Sequence, residues 1–291
     1  MDWHRGVSAY SCIRLRLTTF DKCTFLVVTQ CHLLHVCAQG CVHSRGACLS
    51  CCDAQSVTVR WDVLSQLEHA FSTTGAMPSP SEAEAHASNL PLRSLVAGEI
   101  TWPGIFGMLQ FAGASPGDSF LDCGAGHGRA VAAFATAFGG RSYGVEIRPQ
   151  LVQTAQQCLE RLQQSMAALA SPPSHDRYGA VLDREAPPLD ASVSLGDMFS
   201  RELDWSAYDI VLVNATGFDD ALMQRCSQKL TEQLPPSHEH PTRVGRKHKR
   251  RGQDILVLSQ PLPPPWSAPV ARRAFKMSWG QCTVFLYRRR G

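Results

Sequence analysis

Residues 120–129 read FLDCGAGHGR, an apolar run that ends in an aspartate and passes into three glycines on alternate positions. A strand followed by such a loop can hold a dinucleotide, a nucleoside triphosphate or a small cationic cofactor, and the residues around the glycines separate these possibilities. A triphosphate loop places a lysine and then a serine or threonine after its last glycine, whereas Gly128 is followed by Arg129 and Ala130. A dinucleotide loop turns its backbone amides toward a pyrophosphate and carries glycine at its sixth position, which here is Arg129. Asp122 stands two residues before the first glycine, Gly124. A carboxylate there repels a pyrophosphate and attracts a cation.

Downstream of the loop the pattern is regular. The stretches 119–125, 142–147, 192–197, 209–215, 254–260 and 283–289 read as strands, and 100–114, 128–139, 149–170 and 218–234 read as helices. Strands that alternate with helices predict an α/β fold, a mostly parallel sheet covered on both faces, with ligands at the carboxyl ends of the strands. Before it, TVRWDVLSQLEHAF (58–71) carries Trp61, Leu64, Leu67 and Phe71 at helical spacing and predicts an amphipathic helix. STTGAMPSPSEAEAHASN (72–89) reads as a linker because it is rich in Ser, Pro and Gly. The expected organisation is a leader over 1–55, a helix and linker over 56–91 and one catalytic-type domain over 92–291.

Candidate ligand residues follow from strand ends. Glu146 closes the second strand 18 residues after Gly128, where a carboxylate can accept two ribose hydroxyls. Asp122, Gly124, Gly126 and Glu146 together suit S-adenosylmethionine, which bears both an ammonium and a sulfonium group. Asp197 ends the third strand, placed to accept an adenine amine, with Met198 or Phe199 against the ring. Asn214 ends the fourth. It can act at the mouth of the sheet, or it can cap the next helix or close an Asx turn.

A more specific resemblance is carried by VAGEITWPGIFGMLQFAGASPGDSFLDCGAGHGRAV, SYGVEIRPQLVQTA, GDMF, VLVNATGF and MSWGQCTVFLY, in that order over residues 95–287. This series resembles the disruptor-of-telomeric-silencing family, the histone lysine methyltransferases that lack a SET domain. The resemblance implies a Rossmann-like class I methyltransferase fold with a seven-stranded, mostly parallel sheet and helices on both faces. It also implies a cofactor site from Glu99, Asp122, Gly124, Gly126, Glu146, Asp197, Met198 and Asn214. Asn214 and Phe218 would stand at the channel that delivers a lysine amine. Three stretches depart from the family pattern: Ala97 where a tyrosine is usual, Ala215-Thr216-Gly217 after the asparagine, and Phe285-Leu286-Tyr287 where paired tyrosines line the channel. The cofactor residues are thus kept more fully than the channel residues. The alternatives are a relative that binds cofactor or partner without catalysis, and a methyltransferase for a non-histone acceptor.

Charge and cysteine content bear on partners and compartment. The net charge is only +3, but TRVGRKHKRRGQD (242–254) gathers Arg243, Arg246, Lys247, Lys249, Arg250 and Arg251 inside a loop expected over 235–253. Such a run can be a solvated loop, a nuclear import signal, or a contact for nucleosomal DNA phosphates through Arg246, Lys247, Lys249, Arg250 and Arg251. The expected location is the nucleus, with the cytoplasm as alternative. Eight of the twelve cysteines fall within the first 52 residues. Cys48 and Cys51 form the one CxxC there, so the spacing does not define a zinc site, and no metal is expected. The apolar run within 23–40 is interrupted by Gln30, His32 and His35, and is too short for a membrane span. Residues 1–55 are accordingly expected to be a poorly ordered leader.

Overall fold

The computed structural model describes residues 57–96, 98–170, 188–233, 253–266 and 268–289, together with short strands at Cys12–Ile13, Val27–Val28, Leu33–Val36 and Val42–His43. The rest of the expected leader lies outside the described residues. So do the basic run through Arg251, Ala97, and the side chain of Trp61.

Seven strands form the central sheet: β1 (Phe120–Cys123), β2 (Ser142–Glu146), β3 (Ala191–Leu195), β4 (Ile210–Val213), β5 (Asp254–Leu258), β6 (Ala271–Met277) and β7 (Gly280–Arg288). Their order across the sheet is β6-β7-β5-β4-β1-β2-β3. The pairs β3/β2, β2/β1, β1/β4 and β4/β5 are parallel, while β7 runs antiparallel to both β5 and β6. The order reverses between β1 and β4, which opens a crevice at the carboxyl ends of these strands.

The inner parallel strands β1, β4 and β5 carry apolar residues on both faces, as a doubly covered sheet requires. Phe120, Ile210, Leu212, Leu256 and Leu258 face one core cluster, and Leu121, Cys123, Val211, Val213, Ile255 and Val257 face the other. The first face is covered by α1 (Trp61–Phe71), α3 (Trp102–Ala112), α4 (Arg129–Phe138) and α5 (Pro149–Ala170). Phe120 stacks on Phe134 there, with centroids 4.9 Å apart. The second face is covered by α6 (Asp220–Gln233) and by the buried indole of Trp205, which donates to the Met198 carbonyl.

Two elements differ from the reading of the sequence. The supposed linker contains α2 (Glu82–Ser88), started by a capping box in which the Ser81 hydroxyl accepts from the Glu84 amide and the Glu84 carboxylate accepts from the Ser81 amide. Strand β6 was not read along the chain, because Arg272, Arg273 and Lys276 break its apolar alternation. Such charges are the usual protection of an edge strand. Among the described residues, no helix is long and apolar enough to cross a membrane.

Candidate cofactor cleft

The glycine loop is held by the strand beside it. The amides of Gly124 and Ala125 both donate to the Val145 carbonyl, which bends the chain away from β1 at its last residue. Gly124 has φ +85° and open space where a Cβ would point, so it leaves room for a ligand in a backbone conformation that side chains resist. Gly126, at φ +54°, is covered instead: a Cβ there would lie 2.7 Å from the Met77 methyl.

A cleft of about 650 Å³, part of it open to solvent, lies at the carboxyl ends of β1 to β4. Gly124, Glu146, Asp197, Met198, Asn214 and Phe218 all line it. Glu99, Asp122 and Gly126 do not. Glu146 is buried, with one carboxylate oxygen on the Gly126 amide at 2.8 Å and the other on the Arg148 amide at 3.0 Å. Each oxygen keeps a lone pair for a further donor. Burial pushes its carboxyl above the ordinary range, against the pull of these amides.

Asp122 lies behind the loop, 4% exposed, with no hydrogen-bond partner among the described residues. Burial first, and the neighbouring charge of Glu146 second, raise its carboxyl well above the ordinary range. Glu99 is already engaged, its carboxylate accepting from Arg129 at 2.7 Å and from His127 Nδ1 at 2.8 Å. Burial opposes ionisation of Glu99, but these two partners outweigh it and hold its carboxyl below the ordinary range. Arg129 also stacks over the Trp102 ring at 4.2 Å.

Asp197 is exposed. It accepts from the Phe199 amide at 2.8 Å and pairs with Arg225 at 3.4 Å, whose guanidinium lies over the Phe199 ring. Asn214 closes an Asx turn, its Oδ1 accepting from the Thr216 hydroxyl at 2.7 Å and from the Thr216 amide at 3.4 Å. It does not cap α6. That place belongs to Asp219, which accepts from the Leu222 amide at 3.0 Å.

No apolar periodicity announces what covers the cleft. Residues 77–96 and 98–99 lie across the strand ends and are fastened at several points. Arg148, 2% exposed, donates to Glu84 at 3.0 Å and to the Pro78 carbonyl at 3.0 Å, while its Nη2 finds no partner. Ser94 donates to the Gly217 carbonyl at 3.1 Å, and Arg93 pairs with Asp219 at 3.4 Å. Gly98 lies against Trp279 of the β6–β7 turn, so closely that a Cβ would meet the ring at 2.3 Å. Leu90, Ser94, Leu95 and Val96 of this cover form one wall of the cleft. The capping box at Ser81 was the only local signal that any of it is ordered.

The fate of the channel positions also emerges. Tyr287 is buried, its hydroxyl accepting from the Leu262 amide at 2.7 Å, and it belongs to the core of the second face.

The strand order, with a seventh strand inserted antiparallel between the fifth and sixth, and a cleft at the crossover make this a Rossmann-like domain of the class I methyltransferase type. Residues 83–178 match the family model of the histone methylation protein DOT1, in agreement with the resemblance read from the sequence. No curated protein sequence matches the chain. Among solved structures, an RNA methyltransferase from Salinibacter ruber in complex with S-adenosyl-L-homocysteine is 22% identical, over 64% of this chain and 90% of its own, with a TM-score of 0.41. TrmN from Thermus thermophilus is 16% identical over 68% of this chain, which spans 52% of TrmN, with a TM-score of 0.45. A SAM-dependent methyltransferase from Methanosarcina mazei is 11% identical, over 62% of this chain and 96% of its own, with a TM-score of 0.38.

Proposed function

We propose that the chain is an S-adenosylmethionine-dependent methyltransferase whose acceptor is a lysine amine of a histone, acting on chromatin in the nucleus. The observation that carries this reading is the single cleft that gathers Gly124, Glu146, Asp197, Met198, Asn214 and Phe218 at the strand ends, within a chain whose residues 83–178 match the DOT1 model. The residues fit the cofactor. Open space at Gly124 admits it, Glu146 offers two fixed acceptors to a ribose, Met198 and Phe199 offer apolar surface to a base, and Asp122 and Glu146 are buried carboxyls whose ionised form a cation in the cleft would favour. When bound, S-adenosylmethionine supplies an electrophilic methyl group and its own leaving group.

The chain itself contributes alignment and exclusion of water. Among the described residues lining the cleft there is no histidine, lysine or tyrosine to serve as a base. An incoming lysine therefore reaches its neutral form by desolvation against apolar side chains such as Phe218, Leu222 and Val96. Asn214 adds a dipole without adding charge, and holding donor and acceptor in line is worth orders of magnitude in rate.

The test is transfer of radiolabel from S-adenosylmethionine to nucleosomes, free histones and whole-cell lysate in parallel. Label on a histone lysine is expected, and label in none of the three would overturn the reading. Asn214→Asp is the accompanying variant. Aspartate keeps the Asx turn but loses the amide donor, so thermal stability should be nearly unchanged while most transfer is lost.

A further inference from the structure

A chain of hydroxyl groups runs from the end of β5 to the Asn214 amide. Asn214 Oδ1 can only accept, so the Thr216 hydroxyl, 2.7 Å away, spends its single proton there. Thr216 Oγ1 is also 2.8 Å from Ser259 Oγ, and with its own proton committed it must accept from Ser259. The polarity of the chain is therefore fixed, from Ser259 to Thr216 to Asn214. The Thr216 amide, also on Oδ1, sets the same orientation, because a backbone N–H can only donate. Asn214 is left to offer the cleft its Nδ2 donor, which finds no protein acceptor among the described residues.

Ser259 occupies its place at a backbone cost. Its φ is +72°, the left-handed region that glycine enters with less strain, and it stands immediately after β5 at the cleft edge of the sheet. The neighbouring contacts hold that conformation. The Ser259 amide donates to the Thr283 carbonyl at 2.8 Å, and the Gln260 amide side chain donates to the carbonyls of Ala215 and Phe218. The loop that carries Asn214, Thr216 and Phe218 is thereby tied to the end of β5.

We infer that Thr216 and Ser259 are positioning residues for methyl transfer, acting through Asn214 by fixing which face of its amide meets the cleft. The inference rests on the proposed methyltransferase reading. It separates hydroxyl chemistry from fold, since glycine suits the Ser259 backbone better than serine does, and valine matches the shape of Thr216 without its hydroxyl.

The experiment measures thermal stability, cofactor affinity and turnover at saturating substrate for the wild type, Ser259→Gly, Thr216→Val and Thr216→Ser. Ser259→Gly should melt at or above the wild-type temperature, bind S-adenosylmethionine within about twofold of wild type, and turn over at least about tenfold more slowly. Thr216→Val should show the same loss of turnover, and Thr216→Ser should restore it. Wild-type turnover in Ser259→Gly or Thr216→Val would overturn the inference, as would failure of Thr216→Ser to restore it. Loss of turnover that tracks a lowered melting temperature in both variants would also overturn it, in favour of plain packing. Absence of transfer by the wild type itself would instead sink the methyltransferase reading, and this inference with it.

Discussion

Asp122 and Glu146 lie on neighbouring strand ends, both buried and both raised in pKa, and their pairing has a measurable consequence. For Asp122 the cause is burial first and the charge of Glu146 second. The folded chain then binds a proton that the unfolded chain releases near the ordinary aspartate value of about 3.9. Folded stability accordingly falls as pH rises from that value through the raised one. A cation bound in the cleft favours the ionised carboxylate, so binding within that window should release a proton and tighten as pH rises. Calorimetry of S-adenosylmethionine binding in buffers of different ionisation enthalpy reads this directly, and proton uptake would contradict it. Asp122→Asn should abolish the release, stabilise the free protein at neutral pH, and weaken the cofactor by about tenfold or more. These acids were legible because each is a strand-end carboxylate at a fixed distance from the glycines. Arg148 was not, because its partners Pro78 and Glu84 lie 70 and 64 residues away and no local pattern announces them. The role of Asn214 was ambiguous for another reason. Asn214 suits a catalytic place, a helix cap or an Asx turn equally by residue type, and only the structure shows that Asp219 caps the helix.

At the scale of elements, legibility followed amphipathic signal. Helix α5 was read with its observed bounds, since Pro149 opens it and its apolar residues recur at helical spacing. Strands β1, β4 and β5 stood out as mostly apolar, with Asp122 and Asp254 the exceptions, which is what burial on both faces demands. Helix α2 has seven residues and one buried side chain, Ala85, so periodicity could not find it, though Ser-Glu-Ala-Glu at 81–84 hides a capping signature. Its stability depends on where its first turn is fastened. Glu84 accepts from Ser81 within the helix and from Arg148 across the fold, and the Arg148 hydrogen bond holds its carboxyl below the ordinary range. Ser81→Ala should therefore cost about 1 kcal/mol, the usual worth of a cap. Glu84→Ala should cost more, about 2 kcal/mol, because it also strips a partner from a buried guanidinium. Chemical denaturation of the two variants checks the order, and equal losses would mean that the Arg148 contact contributes nothing.

Over the whole molecule, the two ends of the basic segment are anchored away from the cleft. Gln233 and Gln253 both bond to the turn around Trp205, at the amino ends of β4 and β5. The strands between that edge and the cleft are four or five residues long, roughly 15 Å at the usual rise. A run of positive charge is the usual means of gripping a large polyanion such as nucleosomal DNA. Neutralising Arg246, Lys247, Lys249, Arg250 and Arg251 is therefore expected to lower nucleosome affinity and flatten its salt dependence while leaving cofactor affinity unchanged. A change in nuclear accumulation alone would make the segment a targeting signal, and no change in either would leave it a solvated loop.

The fastening of residues 77–96 and 98–99 over the strand ends also sets a tempo. Arg148, Gly217 and Trp279 hold this arch down at three separate points while part of the cleft stays open to solvent, and a nucleoside-sized guest beneath it is expected to leave more slowly than from an uncovered cleft. Dwell time is then expected to follow the arch's opening, and stopped-flow measurement of S-adenosylmethionine binding should show an apparent association rate that levels off at high concentration, whereas a linear rise would mean that the arch does not gate entry. A chain built this way keeps its guest through many encounters with a slow, bulky acceptor, and loosening a single fastening such as Glu84 shortens that patience before it alters any reacting group.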